Sequence, residues 1–151
     1  MADNFHFENA VFIVDLSGSM TEGAKLHTVG NLMTGALQSA ASGFGLRIVY
    51  VSKQLEEFAV GEDRRIPTAG FCGGALNENA LKDYLTRHAG PQDILFLFSD
   101  TAQDIPRQEN LFTILVGDET APDKIAGNTF HAETFPALWQ TVIEAQAGNR
   151  P

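Results

Sequence analysis

Short apolar runs alternate along this chain with stretches whose apolar positions recur at helical spacing. Apolar runs rich in β-branched and aromatic residues occupy positions 10–14, 46–51, 93–98 and 111–116. Such runs, bounded by polar residues, are typical of strands that are buried on both faces of a sheet. We therefore expect these runs to form the central strands, the first ending at Asp15 and a later one just before Ser99 and Asp100.

Helical patterns separate these runs. From Leu26 to Ala41, apolar residues fall on one face of a helix, and Gly43 ends the pattern. Asn77 is a good N-cap for a second helix, and a third helix is predicted from about Pro136.

Weaker signals complete the outline. A strand at 58–60 follows the run at 46–51 so closely that no crossover helix fits between them, which predicts an antiparallel pair. The polar, glycine-rich segment 61–74 is typical of a loop. A short helix is predicted at 122–126 and a last edge strand at 129–132.

Parallel strands joined by helices predict a three-layer α/β/α sandwich. We expect one Rossmann-like domain over residues 1–151, with its core at about 9–148. It is built on a doubly wound, mostly parallel six-stranded sheet with one antiparallel edge strand. Numbered along the chain, the strand order 3-2-1-4-5-6 makes the strands before Asp15 and Asp100 neighbours where the order reverses. Ligands bind at that point in open sheets of this kind.

Charge limits the classes of partner. The chain of 151 residues has a formal net charge of −9, and its only adjacent basic residues are Arg64 and Arg65. Nucleic acids and acidic membrane surfaces bind clustered Lys and Arg, so neither is expected as a partner. The single cysteine, Cys72, and a polar N-terminus without a basic stretch favour a cytoplasmic protein.

The residues after the first strand carry the candidate chemistry. Asp15, Ser17 and Ser19 alternate, so in an extended segment they face one centre, and Gly18 permits a tight turn. Together with Asp100 they form an all-oxygen set that suits a hard cation. Mg²⁺ is the best candidate, and Mn²⁺ or Ca²⁺ are the alternatives.

These segments resemble a known family. Residues 15–19 (Asp-Leu-Ser-Gly-Ser) resemble the Asp-x-Ser-x-Ser motif of the metal-ion-dependent adhesion site (MIDAS) in von Willebrand factor A (VWA) domains. The later strand ending in Asp100 resembles the family's strand with a second Asp, and Gly73-Gly74-Ala75 resembles its Gly-Gly-Thr loop. The resemblance runs from about position 9 to 148.

The resemblance implies how the site works. Ser17 and Ser19 would coordinate the cation directly, and Asp15 and Asp100 would act largely through bound water. The open position of the cation would be filled by an Asp or Glu of another protein. A AAA+ ATPase or another multi-protein assembly is the setting implied for that partner.

One residue departs from the family pattern. Ala75 stands where the family has Thr, so the site is incomplete, and a water, Thr68 or Thr101 would have to replace the missing hydroxyl. We therefore keep as an alternative an interaction domain with this fold and no bound metal.

A purely structural role and an enzymatic role for these residues have less support. Asp15, Ser17 or Ser19 could simply cap the helix after the first strand, and Asp100 could start a turn before Thr101. The strand ending in Asp15 also resembles that of haloacid dehalogenase-like phosphatases, but these need a second acid two residues later, where Ser17 stands. A serine hydrolase elbow and a Walker phosphate loop are both absent from the sequence. We therefore expect a binding module and not an enzyme.

Overall fold

A six-stranded sheet forms the centre of the molecule in the computed structural model. The structure describes residues 8–40, 45–70, 73–88, 90, 92–100, 110–116 and 129–148. The strands are β1 (Asn9–Asp15), β2 (Gly45–Val51), β3 (Leu55–Ala59), β4 (Asp93–Ser99), β5 (Leu111–Leu115) and β6 (Thr129–His131). The helices are α1 (Lys25–Ser39), α2 (Glu78–Arg87) and α3 (Phe135–Gly148), with 3₁₀ helices at Gly18–Thr21 and Ala132–Thr134.

The order of the strands is the one predicted. The sheet runs β3-β2-β1-β4-β5-β6, and all pairs are parallel except β2 with β3. This confirms the three-layer α/β sandwich with one antiparallel edge strand. In the register of β1 with its neighbours, Asp15 pairs with Val51, and Val14 pairs with Phe98. β1 and β4 therefore end, at Asp15 and Ser99, on the same side of the sheet, where the carboxyl ends of the parallel strands lie.

The two faces of the sheet are covered by different helices. On one face, Phe12 and Phe96 pack against Phe135 and Trp139 of α3, with the rings of Phe12 and Trp139 centred 5.4 Å apart. α1 also packs on this face. On the other face, side chains of α2 meet the alternate residues of the central strands; these include Val11, Ile13, Val49, Leu81, Tyr84, Leu85 and Leu97. The alternation explains why the central strands are apolar on both sides.

The edge strand β3 begins earlier than predicted. It starts at Leu55 and not at position 58, because charged residues that break an apolar run are accommodated at a sheet edge. Glu57 is exposed on this strand, and its Oε2 accepts hydrogen bonds from Arg47 Nη1 (3.0 Å) and Tyr84 OH (2.7 Å). Burial alone would raise the pKa of Glu57, but these two hydrogen bonds, together with the electrostatic influence of Arg47 and His88, outweigh burial and lower it.

The other elements follow the predictions closely. Asn77 caps α2, with its side chain accepting a hydrogen bond from the amide of Ala80 at 3.0 Å. The predicted helix at 122–126 lies outside the described residues. No helix in the described part of the chain is long and apolar enough to cross a membrane.

Phe12 gives a direct test of how the sheet is held. Its side chain is fully buried among four aromatic rings, so Phe12→Ala should lower the free energy of unfolding by about 3–5 kcal/mol. Urea denaturation followed by circular dichroism measures this change. Phe58→Ala, on the edge strand and only partly buried, should cost clearly less. Equal losses in the two variants would contradict this packing.

Candidate metal centre

The two carboxylates predicted from distant parts of the sequence lie on adjacent strands. Asp15 ends β1, and Asp100 follows the last residue of β4. Ser99, the residue before Asp100, donates a hydrogen bond from its hydroxyl to Asp15 Oδ2 at 2.7 Å. Asp15 is 1% exposed and Asp100 is 6% exposed. A buried hydrogen bond therefore ties the two strand ends together beside both carboxylates.

The segment after β1 turns tightly around Asp15. Asp15 Oδ1 accepts a hydrogen bond from the backbone amide of Ser17 at 2.8 Å, and the amide of Leu16 donates to Val51 O. A 3₁₀ helix, which the sequence did not predict, then begins at Gly18. One oxygen of Asp15 thus closes the turn after β1 without capping a helix, and the other accepts from Ser99. Ser17 is half-buried, and Ser19 is exposed.

The glycine loop before α2 docks on this turn. The amide of Gly18 donates to Gly74 O at 2.8 Å, and the amide of Gly73 donates to Leu16 O at 2.7 Å. Gly73 and Gly74 adopt positive φ angles of 85° and 80°, which side chains disfavour. The loop containing Ala75 is therefore held against the predicted site, as the resemblance implied, but Ala75 brings no hydroxyl to it.

Lys25 is the residue that the sequence interpretation missed. Its Nζ lies 2.9 Å from Asp100 Oδ2 and 3.1 Å from the carbonyl oxygen of Ser19. Both partners of the ion pair are largely buried, with side-chain exposures of 17% for Lys25 and 5% for Asp100. The ammonium therefore lies between one predicted carboxylate and the predicted serine turn.

A signal for Lys25 was present in the sequence. Lys25 opens α1, where the partial positive charge of a helix N-terminus disfavours a cation. Ala24 at the N-cap position makes no side-chain capping bond. A lysine at such a helix start, ten residues after Asp15, indicates a carboxylate partner nearby.

The predicted substitutes for the missing threonine hydroxyl remain open. Thr68 is exposed and lines a cavity of about 490 Å³ together with Leu16 and residues of α1. Thr101 and Cys72 lie outside the described residues. The predicted replacement of the missing hydroxyl by Thr68, Thr101 or a water stays a prediction.

The donor set suits a cation that is held mainly by hydroxyl groups and water. The part of the chain that the structure describes contains no group of three or more His, Cys, Asp or Glu side chains able to hold a metal ion. Asp100 Oδ1, however, is buried and has no hydrogen-bond partner there. Leaving a buried carboxylate oxygen unpaired costs free energy, which a cation or its water shell would recover. Ser17 and Ser19 enter the bonds described above through backbone atoms, and those bonds do not use their hydroxyl oxygens.

Solved structures share this fold. The chain is similar to VWA2, the ArnB paralog from Sulfolobus acidocaldarius, with a TM-score of 0.63 and 18% identity over 92% of this chain. It is similar to a von Willebrand factor type A protein from Catenulispora acidiphila, with a TM-score of 0.58 and 15% identity over 93% of this chain. Proximal thread matrix protein 1 from the mussel byssus, with a zinc-occupied MIDAS motif, gives a TM-score of 0.61 and 12% identity over 95% of this chain.

The chain spans less than half of each of these proteins: 45%, 43% and 46% of their respective lengths. No family model matches the sequence, and no curated protein matches it either. At identities this low, the likeness concerns the fold.

The glycine loop gives a test of the site's geometry. Gly74→Ala places a side chain at φ +80°, so we expect a loss of about 1–2 kcal/mol in the free energy of unfolding. Gly18 is the matched control, because a methyl group there would meet nothing closer than 3.8 Å and its φ is not positive. Gly18→Ala should change stability by less than about 0.5 kcal/mol. Equal stability of the two variants in chemical denaturation would contradict the docked loop.

Proposed function

We propose that this chain, which has the von Willebrand factor A fold, is a metal-dependent protein-binding module. In this proposal Asp15, Ser17, Ser19 and Asp100 hold a divalent cation at the end of the sheet. When bound, the cation supplies an open coordination position that accepts an Asp or Glu side chain of another protein. The observation that carries the proposal is the buried Oδ1 of Asp100, which has no hydrogen-bond partner within the described part of the chain.

The residues around the site have separate tasks. Ser99 and the amide of Ser17 fix both oxygens of Asp15, so this carboxylate keeps its negative charge in place without reorganising. The hydroxyl groups of Ser17 and Ser19 are the direct ligands in this scheme. The docked Gly73-Gly74 loop holds the turn that carries them.

Oxygen ligands favour Mg²⁺, with Mn²⁺ or Ca²⁺ as alternatives, because hard cations prefer hydroxyl, carboxylate and water oxygens. The similar mussel protein holds zinc at its MIDAS motif, which supports a divalent cation without selecting among them. A divalent cation also has an electrostatic use here. The chain carries a net charge of −9, which repels an acidic partner unless a local positive charge offsets it.

The proposal is for binding without catalysis. A haloacid dehalogenase-like mechanism needs an acid two residues after Asp15, and Ser17 has no acidic proton to give at neutral pH. The resemblance of the sequence favours a partner such as a AAA+ ATPase or another multi-protein assembly. A reducing compartment such as the cytoplasm agrees with the single cysteine.

A second candidate is a protein-binding domain of the same fold that needs no metal. Two observations favour it: Ala75 lacks the hydroxyl of the family's threonine, and Lys25 already places a positive charge on Asp100. Thermal unfolding distinguishes the two candidates.

We expect Mn²⁺ or Mg²⁺ to raise the melting temperature of the wild-type chain. A ligand at about ten times its Kd adds about 1.4 kcal/mol to stability, which corresponds to a Tm increase of several degrees. Asp15→Asn keeps an oxygen that can accept from the Ser17 amide but removes the charge, so it should abolish the increase.

Asp83→Asn removes a charge from an exposed position on α2 and should leave the increase intact. A wild-type Tm that is the same in Mn²⁺, in Mg²⁺ and in EDTA would favour the metal-free candidate.

The partner is tested by affinity capture with the wild type and Asp15→Asn in parallel, each with Mg²⁺ and with EDTA. We expect a partner that is retained only by the wild type and only with Mg²⁺, because its carboxylate binds the cation. Variants of the captured protein, each with one exposed Asp or Glu changed, are then titrated into the wild-type chain, and their affinities are compared. Capture that is independent of both the metal and Asp15 would contradict the proposed mode of binding.

A further inference from the structure

Lys25 brings a positive charge into the candidate metal centre. Its ammonium lies 2.9 Å from Asp100 Oδ2 and 3.1 Å from Ser19 O, so it contacts two of the residues assigned to the cation. The residue resemblance that defines the site does not assign a role to Lys25.

We propose that the Lys25 ammonium competes with the divalent cation for Asp100. In the metal-free protein the ammonium neutralises Asp100, and the binding of a cation displaces it. This inference rests on the proposed function, because it concerns the affinity of the same site for metal.

The helix start explains why Lys25 needs Asp100. A lysine in the first turn of α1 faces the positive end of the helix dipole, and Ala24 provides no side-chain cap. The pair with Asp100 offsets that cost, and it also offsets the cost of keeping Asp100 charged at 6% exposure. Neither residue is therefore stable in its position without a counter-charge.

Charge balance then makes the ammonium and the metal compete. Counted over these described residues, Asp15, Asp100 and Lys25 together carry one negative charge, whereas the same residues without the lysine carry two. A divalent cation entering beside the ammonium is repelled by it, and at separations of a few ångströms this repulsion is large even in water. The competition with the ammonium for Asp100 therefore raises the Kd of the site for the cation.

Ala75 and Lys25 act in the same direction. The alanine removes one oxygen ligand, and the lysine occupies one carboxylate oxygen. Lys25 thus raises the cation concentration that is needed to fill the site, and with it the concentration needed for metal-dependent partner binding.

The first experiment titrates Mn²⁺ into metal-free wild type and Lys25→Met by isothermal calorimetry. Removing the ammonium should lower the Kd for Mn²⁺ by about tenfold or more. Lys53→Met is the matched control: its stem lies against Gly74 in the neighbouring loop, and no ion pair joins it to a carboxylate among the described residues. We expect Lys53→Met to change the Kd by less than about threefold.

The second experiment tests the metal-free state in EDTA. Lys25→Met leaves Asp100 buried without its partner, so we expect its Tm to fall by about 3 °C or more. The double variant Lys25→Met/Asp100→Asn should lose less than the sum of the two single changes, because the two side chains form one interaction. Lys25→Gln serves in both experiments if Lys25→Met does not fold.

The outcomes separate the two proposals. Tighter Mn²⁺ binding by Lys25→Met than by the wild type supports the competition. This holds even if the wild type binds no Mn²⁺, but the proposed function then fails for the wild type. Equal or weaker binding by Lys25→Met, with a wild type that binds Mn²⁺, overturns the competition and leaves the proposed function standing. If neither protein binds Mn²⁺, both proposals are wrong. If the decreases in Tm of Lys25→Met and Asp100→Asn in EDTA add up in the double variant, the ion pair itself is contradicted.

Discussion

The carboxylate of Asp15 is removed from water at the end of a central strand, and the elements around it supply the hydrogen bonds that offset this cost. The amide of Ser17 binds one oxygen, and the hydroxyl of Ser99 binds the other. The first bond shapes the turn that carries the serines, and the second joins β1 to the end of β4 next to Asp100. Burying a carboxylate is costly unless its oxygens are paired, so the geometry of this end of the sheet depends on these two bonds.

The strand order explains why such bonds can form at all. In a doubly wound sheet, β1 and β4 lie side by side at the point where the strand order reverses. Asp15 and Ser99 are therefore neighbours, although they are 84 residues apart in the sequence. The aromatic packing of Phe12 with α3 holds β1 in place on one face of the sheet, and the Gly73-Gly74 loop holds the turn that follows β1. The packed sheet therefore holds the strand ends that carry Asp15, Ser99 and Asp100 side by side.

Much of this arrangement could be predicted from the sequence. Long apolar runs specify central strands, and the order of the strands follows from their connections. The positions of Asp15 and Asp100 on adjacent strands could therefore be predicted. The limits of β3 were not, because an edge strand tolerates charges such as Glu57 that break the apolar pattern. The pairing of Lys25 with Asp100 joins residues 75 positions apart, and it depends on the path of a long side chain that no periodicity encodes. The local sequence indicates this pair only by the position of Lys25 at the start of a helix, where a cation is unfavourable.

We propose that these residues form a cation site in which Lys25 and the metal exclude each other at Asp100. The decisive experiment is a crystal structure of the chain grown with Mn²⁺ and measured at the manganese absorption edge. We predict an anomalous peak beside Asp15, Ser17, Ser19 and Asp100, with the Lys25 ammonium no longer within hydrogen-bonding distance of Asp100. Saturating Mn²⁺ with no peak at this position, and with the Lys25–Asp100 pair intact, would contradict the account.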